Sequence, residues 1–401
     1  MAMKRFVVVA MLLLAVGVAS ARKGNGGFPF DPDRAMLVSH PDNKMTHCAS
    51  TVIRKNGDVF VSQIRDQKNN HEDPKNNTIE VAISKFNLRN QKSEKVTHTT
   101  VVRAGGQVGN FKQAEGVPPY DTFLFDAGDK IRCLFFGYGD CWQLMVVDMD
   151  PKSCKFDNDV KQTTLTYTAN GSKTTVPITA EGFRKFYEDI GVTNFNKYER
   201  PIPDKKFTQI GEWYYSVIGN WCCRGSIPTV VRTKDAINFE VVFTCPEYVW
   251  GAAETAMAIH NDRCYIIART ARPSEKPRRG VYLGCYSLKT GECLRKPYKI
   301  GSVESRPDML CYKGKVYAMY NTDPSYINDE GKKVYRSRVR IAELLDDGSV
   351  LRAWEISSPK SIQYYCMNEY KGKAYLTFGE DRFLCAKSYK GSIAFTKLDL
   401  E

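Results

Sequence analysis

Five times along this chain a short turn signal leads straight into a run of alternating apolar residues. The phrases are "NGDVFVSQI" from Asn56, "AGDKIRCLFF" from Ala127, "NDRCYIIAR" from Asn261, "KGKVYAMYN" from Lys313 and "KGKAYLTFG" from Lys371. Gly, Asn and Asp supply the positive φ of a tight hairpin, and period-two alternation marks a strand with a buried face. A second hairpin follows most of them, in "VAISKFNLRNQKSEKVT", "VYLGCYSLKTGECLRKPYKI" and "VRIAELLDDGSVLRAWEIS". One such four-stranded unit cannot bury its own faces. Radial stacking of several units does, and the result is a β-propeller.

The N-terminus stands apart from this pattern. Lys4 and Arg5 precede an apolar run from Phe6 to Val18, and Ala19-Ser20-Ala21 offers small residues for cleavage. Residues 1–21 therefore read as a signal peptide, with residues 22–401 as one propeller domain. A periplasmic or secreted protein is expected, with no membrane span once the leader is gone. Removing 21 of 401 residues leaves 380, and the Tyr265-to-Tyr317 and Tyr317-to-Tyr375 spacings are 52 and 58. That division gives about seven blades, inside the range of about 4 to 8 that propellers adopt. The expected fold is all-β, a seven-bladed propeller, with a six-bladed sialidase-like ring carrying an insertion as the alternative. The chain ends on "GSIAFTKLDLE", a strand without the rest of its blade, and a strand near "RAMLVSH" is expected to complete it. "TAEGFRKFYEDIG" places Phe183, Phe186, Tyr187 and Ile190 at helical spacing, with Thr179 as cap and Gly191 as stop. It predicts one short inserted helix.

Loss of Lys4 and Arg5, with no acid, takes the formal charge from +13 to +11. That excess favours an anionic partner. The chain has no compact basic run or nucleic-acid motif, so an acidic oligosaccharide or polysaccharide fits an exported protein better than nucleic acid. Thirteen cysteines form no framework, and their odd number leaves at least one free. Cys133 and Cys264 lie inside strand-like runs, where cysteine packs as a small hydrophobe. No Cys/His metal spacing occurs. No cofactor is expected, and a structural Ca²⁺ in the channel is compatible with the sequence without being indicated by it.

Four stretches carry more polar and aromatic residues than strands and turns require. "MTHCAS" holds His47. "VGNFKQAEGVPPYD" holds Asn110, Lys112, Gln113, Tyr120 and Asp121. "WYYSVIGNWCCRGSIPTVVRTKDAINF" holds Trp213, Tyr214, Asn220, Trp221 and Arg224. The fourth group contributes Glu254, Arg269, Arg306, Asn321, Gln363 and Tyr364. Each precedes or opens the first strand of a blade, where a propeller lines its channel mouth. Arg and Lys clamp carboxylates, and aromatic faces stack on sugar rings. Lys112, Gln113, Tyr120, Arg224, Glu254, Arg306 and Tyr364 are the candidate substrate-binding residues.

Here the chain resembles known families. "GAAETAMAIHNDRCYIIAR" and "SRPDMLCYKGKVYAMYN" resemble phrases of sialidase-like propellers, and "VVRTKDAINFEVV" resembles a degenerate Asp-box turn. With "MTHCAS", "FKQAEGVPPYD", "SRPDM" and "IQYYC", the chain from residue 22 is similar to the seven-bladed propellers of glycoside hydrolase family 145 and the related polysaccharide lyase family 42. That resemblance implies an L-rhamnose-α-1,4-D-glucuronate cap of arabinogalactan as substrate. It also implies one catalytic histidine, matched here by His47, in place of the carboxyl pair of an ordinary glycosidase. An imidazole titrating near neutrality can act as acid and base, with the substrate's own carboxylate supplying negative charge.

The lyase alternative asks for a neutralised carboxylate and a base at C5. Arg224, Arg306 or Lys112 would neutralise, and His47 with Tyr120 or Tyr364 would move protons. His71, in the polar loop "KNNHEDPKNN", would be a second histidine for that chemistry but reads better as a loop residue. His40, His98 and His260 read as structural or solvent-facing.

Overall fold

The computed structural model describes residues 27–69, 78–192, 200–221, 226–270, 279–301, 305–327, 333–358, 361–381 and 391–400. The leader, His71 and Arg224 lie outside these residues, and the side chain of His47 does as well. No helix among the described residues is long and apolar enough to cross a membrane.

Five four-stranded antiparallel sheets and one seven-stranded sheet make up the ring. Blade one runs through Met45–Ile53, Asp58–Asp66, Glu80–Asn87 and Thr97–Arg103; blade two through Tyr120–Asp126, Ile131–Tyr138, Trp142–Met149 and Lys161–Gln162. Blade four spans Ala252–His260 to Cys293–Gly301 and blade five Asp308–Tyr312 to Val350–Ser357. Blade six joins Ser361–Tyr370, Lys373–Asp381 and Gly391–Leu398 to Met36–Leu37, with Met36 opposite Phe395. The expected closure by "RAMLVSH" is therefore present, and it ties the N-terminal part of the chain to its end.

The count of seven blades is corrected to six units. Division by length overcounts because the third unit takes far more chain than a blade. Its strands lie in the order Ser172–Pro177, Thr164–Ala169, Asn238–Thr244, Thr229–Thr233, Trp213–Trp221 and Arg200–Pro203, with Thr208–Ile210 also paired to Trp213–Trp221. The expected helix, Ala180–Asp189, interrupts it. Thr179 Oγ1 accepts from Gly182 N at 2.9 Å, and Phe183, Phe186 and Tyr187 are buried against the sheet. At the Asp-box-like turn, Asp235 Oδ1 accepts from Ile237 N at 2.9 Å and Asn238 N at 2.8 Å, replacing ladder bonds the turn cannot make.

One apolar cluster dominates each gap between neighbouring sheets. Phe60, Val81 and Ile83 of blade one meet Leu124, Cys133 and Phe135 of blade two. Tyr317, Met319 and Ile341 of blade five meet Ile362, Tyr365 and Leu376 of blade six. Full burial of each such side chain contributes about 1.5–3 kcal/mol, so the ring is held by its gaps more than by any one sheet. Cys133, Cys245, Cys264, Cys285 and Cys366 are buried and unbridged.

The axis is filled. From the third unit, Pro203 to Lys206 crosses the centre and bonds to several blades. Pro203 O accepts from Arg306 Nη2 at 2.6 Å, Asp204 Oδ2 from Met257 N at 3.1 Å, and Lys205 O from Ser50 Oγ. Lys205 Nζ donates to Tyr365 O at 2.5 Å and Lys206 Nζ to Met367 O at 2.8 Å. These contacts reach blades one, four, five and six, so the two faces of the ring are separated by a plug.

Candidate functional site at the bulged end of the ring

Register breaks at the same end of four innermost strands. They fall between His47 and Ser50, Tyr120 and Thr122, Ala252 and Thr255, and Gln363 and Cys366. A bulge bends its strand and re-aims a side chain. Asp121, Glu254 and Tyr364 sit within three of these bulges, and His47 borders the fourth. Asp121 at φ 37° and Tyr364 at φ 54° hold a left-handed backbone that costs a non-glycine residue free energy. The opposite ends of the same strands turn back through tight hairpins without such breaks.

Charge concentrates at the bulged end. Arg306, 1% exposed, places Nη1 3.6 Å from Asp121 Oδ1 and its guanidinium 5.3 Å from the centre of the Phe123 ring. Arg200 Nη2 lies 3.5 Å from Asp121 Oδ2, and its guanidinium stacks on Tyr120 at 4.8 Å and Trp142 at 5.6 Å. Glu254 and Arg269, both buried, pair at 2.5 Å. Burial pushes the Glu254 carboxyl up, but Arg269, Arg306 and Lys205 outweigh it and hold the group below its usual range. Arg306 thus acts on both carboxylates. Three guanidiniums and the Lys205 ammonium gather around Asp121 and Glu254, with Asp204, Asp308 and Lys206 close by in the plug.

Several buried polar atoms here have no hydrogen-bond partner among the described residues: Asp121 Oδ2, Arg306 Nε, Ser305 Oγ and both amide atoms of Asn220. Buried polar groups are satisfied in the great majority of cases, so these atoms set the bulged end apart. Close packing fixes the wall. A Cβ on Gly219, beside Asn220, would sit 2.3 Å from Ala253 O.

Beneath the mouth, Lys206 Nζ pairs with Asp308 Oδ2 at 2.9 Å. Burial and the neighbouring Asp308 push Asp204 up to about 7. Burial alone would lower Lys206, but Asp308 outweighs it and holds the ammonium charged.

The sequence candidates separate into groups. Tyr120, Glu254, Arg306 and Tyr364 lie together with the plug. Gln363 and Tyr364 both meet Arg336, whose guanidinium is 5.4 Å from the centre of the Tyr364 ring, and Lys205 Nζ lies 5.9 Å from that same centre. Gln113 is fully buried and its amide is engaged, donating to Val117 O at 2.8 Å and accepting from Tyr138 N at 3.0 Å. Lys112 is exposed on the short ribbon that pairs Phe111–Lys112 with Gln107–Val108. Asn321 rivets blades five and six, its Nδ2 donating to Ile362 O at 3.1 Å. Trp213 lies toward the opposite end, under Arg232 at 4.1 Å.

His47 occupies the third register position of its strand, opposite Ile64. Beside it, Thr46 Oγ1 donates to Gln63 Oε1 at 2.7 Å, and Gln63 Nε2 donates to Ser84 Oγ at 2.6 Å. Ser84 Oγ then meets His98 Nδ1 at 2.9 Å. Burial, then His40 and Arg65, lower His98 to about 4, so it is neutral near pH 7. This chain of bonds steadies the inner strand across the whole blade. His260 stands at the far end, with Cys311 Sγ 3.7 Å from its Nδ1. Arg200, Lys205 and Arg336 were missed from sequence because nothing in their local phrases distinguishes them from surface cations. Among the described residues no group of three His, Cys, Asp or Glu side chains converges as a metal site.

No known protein family matches the chain, and no curated protein does. Solved structures do match in shape. A Trypanosoma rangeli sialidase in complex with the inhibitor DANA aligns at 11% identity and TM-score 0.51, over 92% of this chain and 58% of that one. The chain thus spans little more than half the length of that sialidase. A Penicillium chrysogenum alpha-L-arabinanase complexed with arabinobiose aligns at 9% identity and TM-score 0.53, over 90% and 97% of the two chains. At these identities the likeness establishes the propeller fold.

Proposed function

We propose that this protein is a glycoside hydrolase that removes a terminal unit from an acidic glycan, with L-rhamnose-α-1,4-D-glucuronate caps as its substrate. The observation that carries this reading is the group of arginines where the inner strands bulge, the buried Arg269 and Arg306 and the half-buried Arg200, gathered with Asp121 and Glu254. Burial strengthens a guanidinium's hold on a carboxylate, because less water screens the pair. A glucuronate carboxylate would be drawn to that end of the axis. The formal charge of +11 from residue 22 onward favours the same kind of partner. The sialidase and arabinanase that share the fold support a glycan as the ligand class.

In this reading His47 protonates the leaving oxygen and later takes a proton from water. Tyr120 and Tyr364 shape the sugar pocket, and Arg224 remains a candidate carboxylate-binding residue from the sequence alone. Glu254, held ionised by its arginines, stabilises positive charge developing at the anomeric carbon. The leader-like N-terminus supports action outside the cytoplasm. Incubation with the rhamnose-glucuronate disaccharide tests the proposal: free rhamnose with saturated glucuronate supports hydrolysis. Ultraviolet absorbance from an unsaturated uronate would replace it with β-elimination.

A second reading, a sialidase-like exoglycosidase, is favoured by the left-handed Tyr364 held between Arg336 and Lys205. A tyrosine phenolate flanked by cations is a competent nucleophile. Release of sialic acid from sialyllactose, abolished by Tyr364→Phe, would select it.

A further inference from the structure

Just before the inner strand of blade four, the chain makes a turn that exposes two large apolar side chains, Val249 at 69% and Trp250 at 40%. Trp250 is the one aromatic among the exposed large hydrophobic residues described. Its place matters more than its exposure. It lies four positions before Glu254, on the face where the inner strands bulge, so the two are at most about 14 Å apart along the backbone.

The turn is firmly mounted. Tyr248, 4% exposed, donates its hydroxyl to Ile266 O at 2.5 Å, and Gly251 N returns to Tyr248 O at 3.0 Å with Gly251 at φ 74°. Trp250, Tyr282, Pro297 and Glu247 line a shallow cleft of about 30 Å³. Glu247 Oε2 is buried there without a hydrogen-bond partner among the described residues.

We infer that Trp250 and Glu247 form a rim subsite for a neutral sugar residue of the glycan chain, next to the acidic unit held at the mouth. A pyranose offers an apolar C–H face to the indole and hydroxyl donors to the carboxylate, which is the pair of groups this cleft presents. The Glu247 carboxylate repels a uronate, so the rim takes an uncharged unit while the arginines take the charged one. This rests on the glycan-cleaving reading above and sharpens it: the natural substrate is a capped polymer, and the disaccharide is only its reactive end.

Two assays on the full-length protein separate the outcomes. The first compares kcat/KM on rhamnose-glucuronate-capped arabinogalactan and on the disaccharide. Trp250→Ala is expected to lower the polymer value roughly 10-fold, the equivalent of about 1.4 kcal/mol of lost contact, with the disaccharide value and Tm unchanged. Equal loss on both substrates, or loss on neither, would overturn the subsite. The second is affinity electrophoresis in gels containing arabinogalactan stripped of its acidic caps, which needs no catalysis. Retardation of the wild type, lost in Trp250→Ala and kept in Trp250→Phe, upholds the rim subsite even where the first assay shows no cleavage. Migration unaffected by the polysaccharide rules the subsite out.

Discussion

The two ends of the ring are built by opposite rules. At one end the inner strands turn back through short hairpins: Ile53 pairs with Val59, His260 with Arg263, Tyr312 with Lys315 and Tyr370 with Lys373. Asn261, Asp262, Gly314 and Gly372 adopt the positive φ that these turns need. Local sequence determines that end almost completely. At the other end, four inner strands carry bulges, and buried ion pairs, buried polar atoms without a hydrogen bond among the described residues and two non-glycine residues in left-handed backbone lie with them. Local rules are broken there, and the free energy they cost is offset by packing elsewhere, which is the pattern expected of functional or strained sites.

The contrast is best broken at Arg306. Arg306→Met leaves Asp121 short of a buried partner and Pro203 O without its donor, so unfolding free energy is expected to fall by about 3–5 kcal/mol. Urea denaturation reads it, and glycan cleavage falls with it. Next in size is His47→Ala, which should reduce turnover on the rhamnose-glucuronate disaccharide by about 10²–10⁴-fold with the denaturation midpoint unmoved. Activity that survives this change would move the acid/base role to a carboxylate.

A change at the regular end should do the reverse. Gly372, at φ 69°, has open space where a Cβ would go, so Gly372→Ala introduces backbone strain and little else. A loss of about 1–2 kcal/mol in stability with kcat/KM unchanged is expected. The effect at the plug is read as a pH dependence. The folded-state pKa of Asp204 is raised to about 7 from 3.8, so its contribution to stability is fully present below the lower value and lost as pH rises through the upper one. Asp204→Asn should flatten the decline in Tm between about pH 4 and 7. An unchanged slope would mean that another group governs it.

The hairpins, the inserted helix and the closing strand were legible because each rests on local signals: turn residues, period-two alternation, and a cap three residues before Gly182. The blade count was not, because length alone cannot tell a long third unit from an extra blade. Nothing in "ERPIPDKKF" marks it as a segment that crosses the axis, since its ties run to Ser50, Met257, Arg306 and Tyr365, far away in sequence. That Tyr120, Glu254, Arg306 and Tyr364 share one end of the ring was legible from their place at or just before the start of inner strands. Gln113 shares that kind of phrase, yet its amide holds a loop together.

A crystal structure with glucuronate bound tests the central claim most directly. The expected result is its carboxylate at the bulged end, within hydrogen-bond reach of Arg306, Arg269 or Lys205 and with a ring hydroxyl near Tyr364. Glucuronate seated at the hairpin end, beside His260 and Cys311, would contradict it.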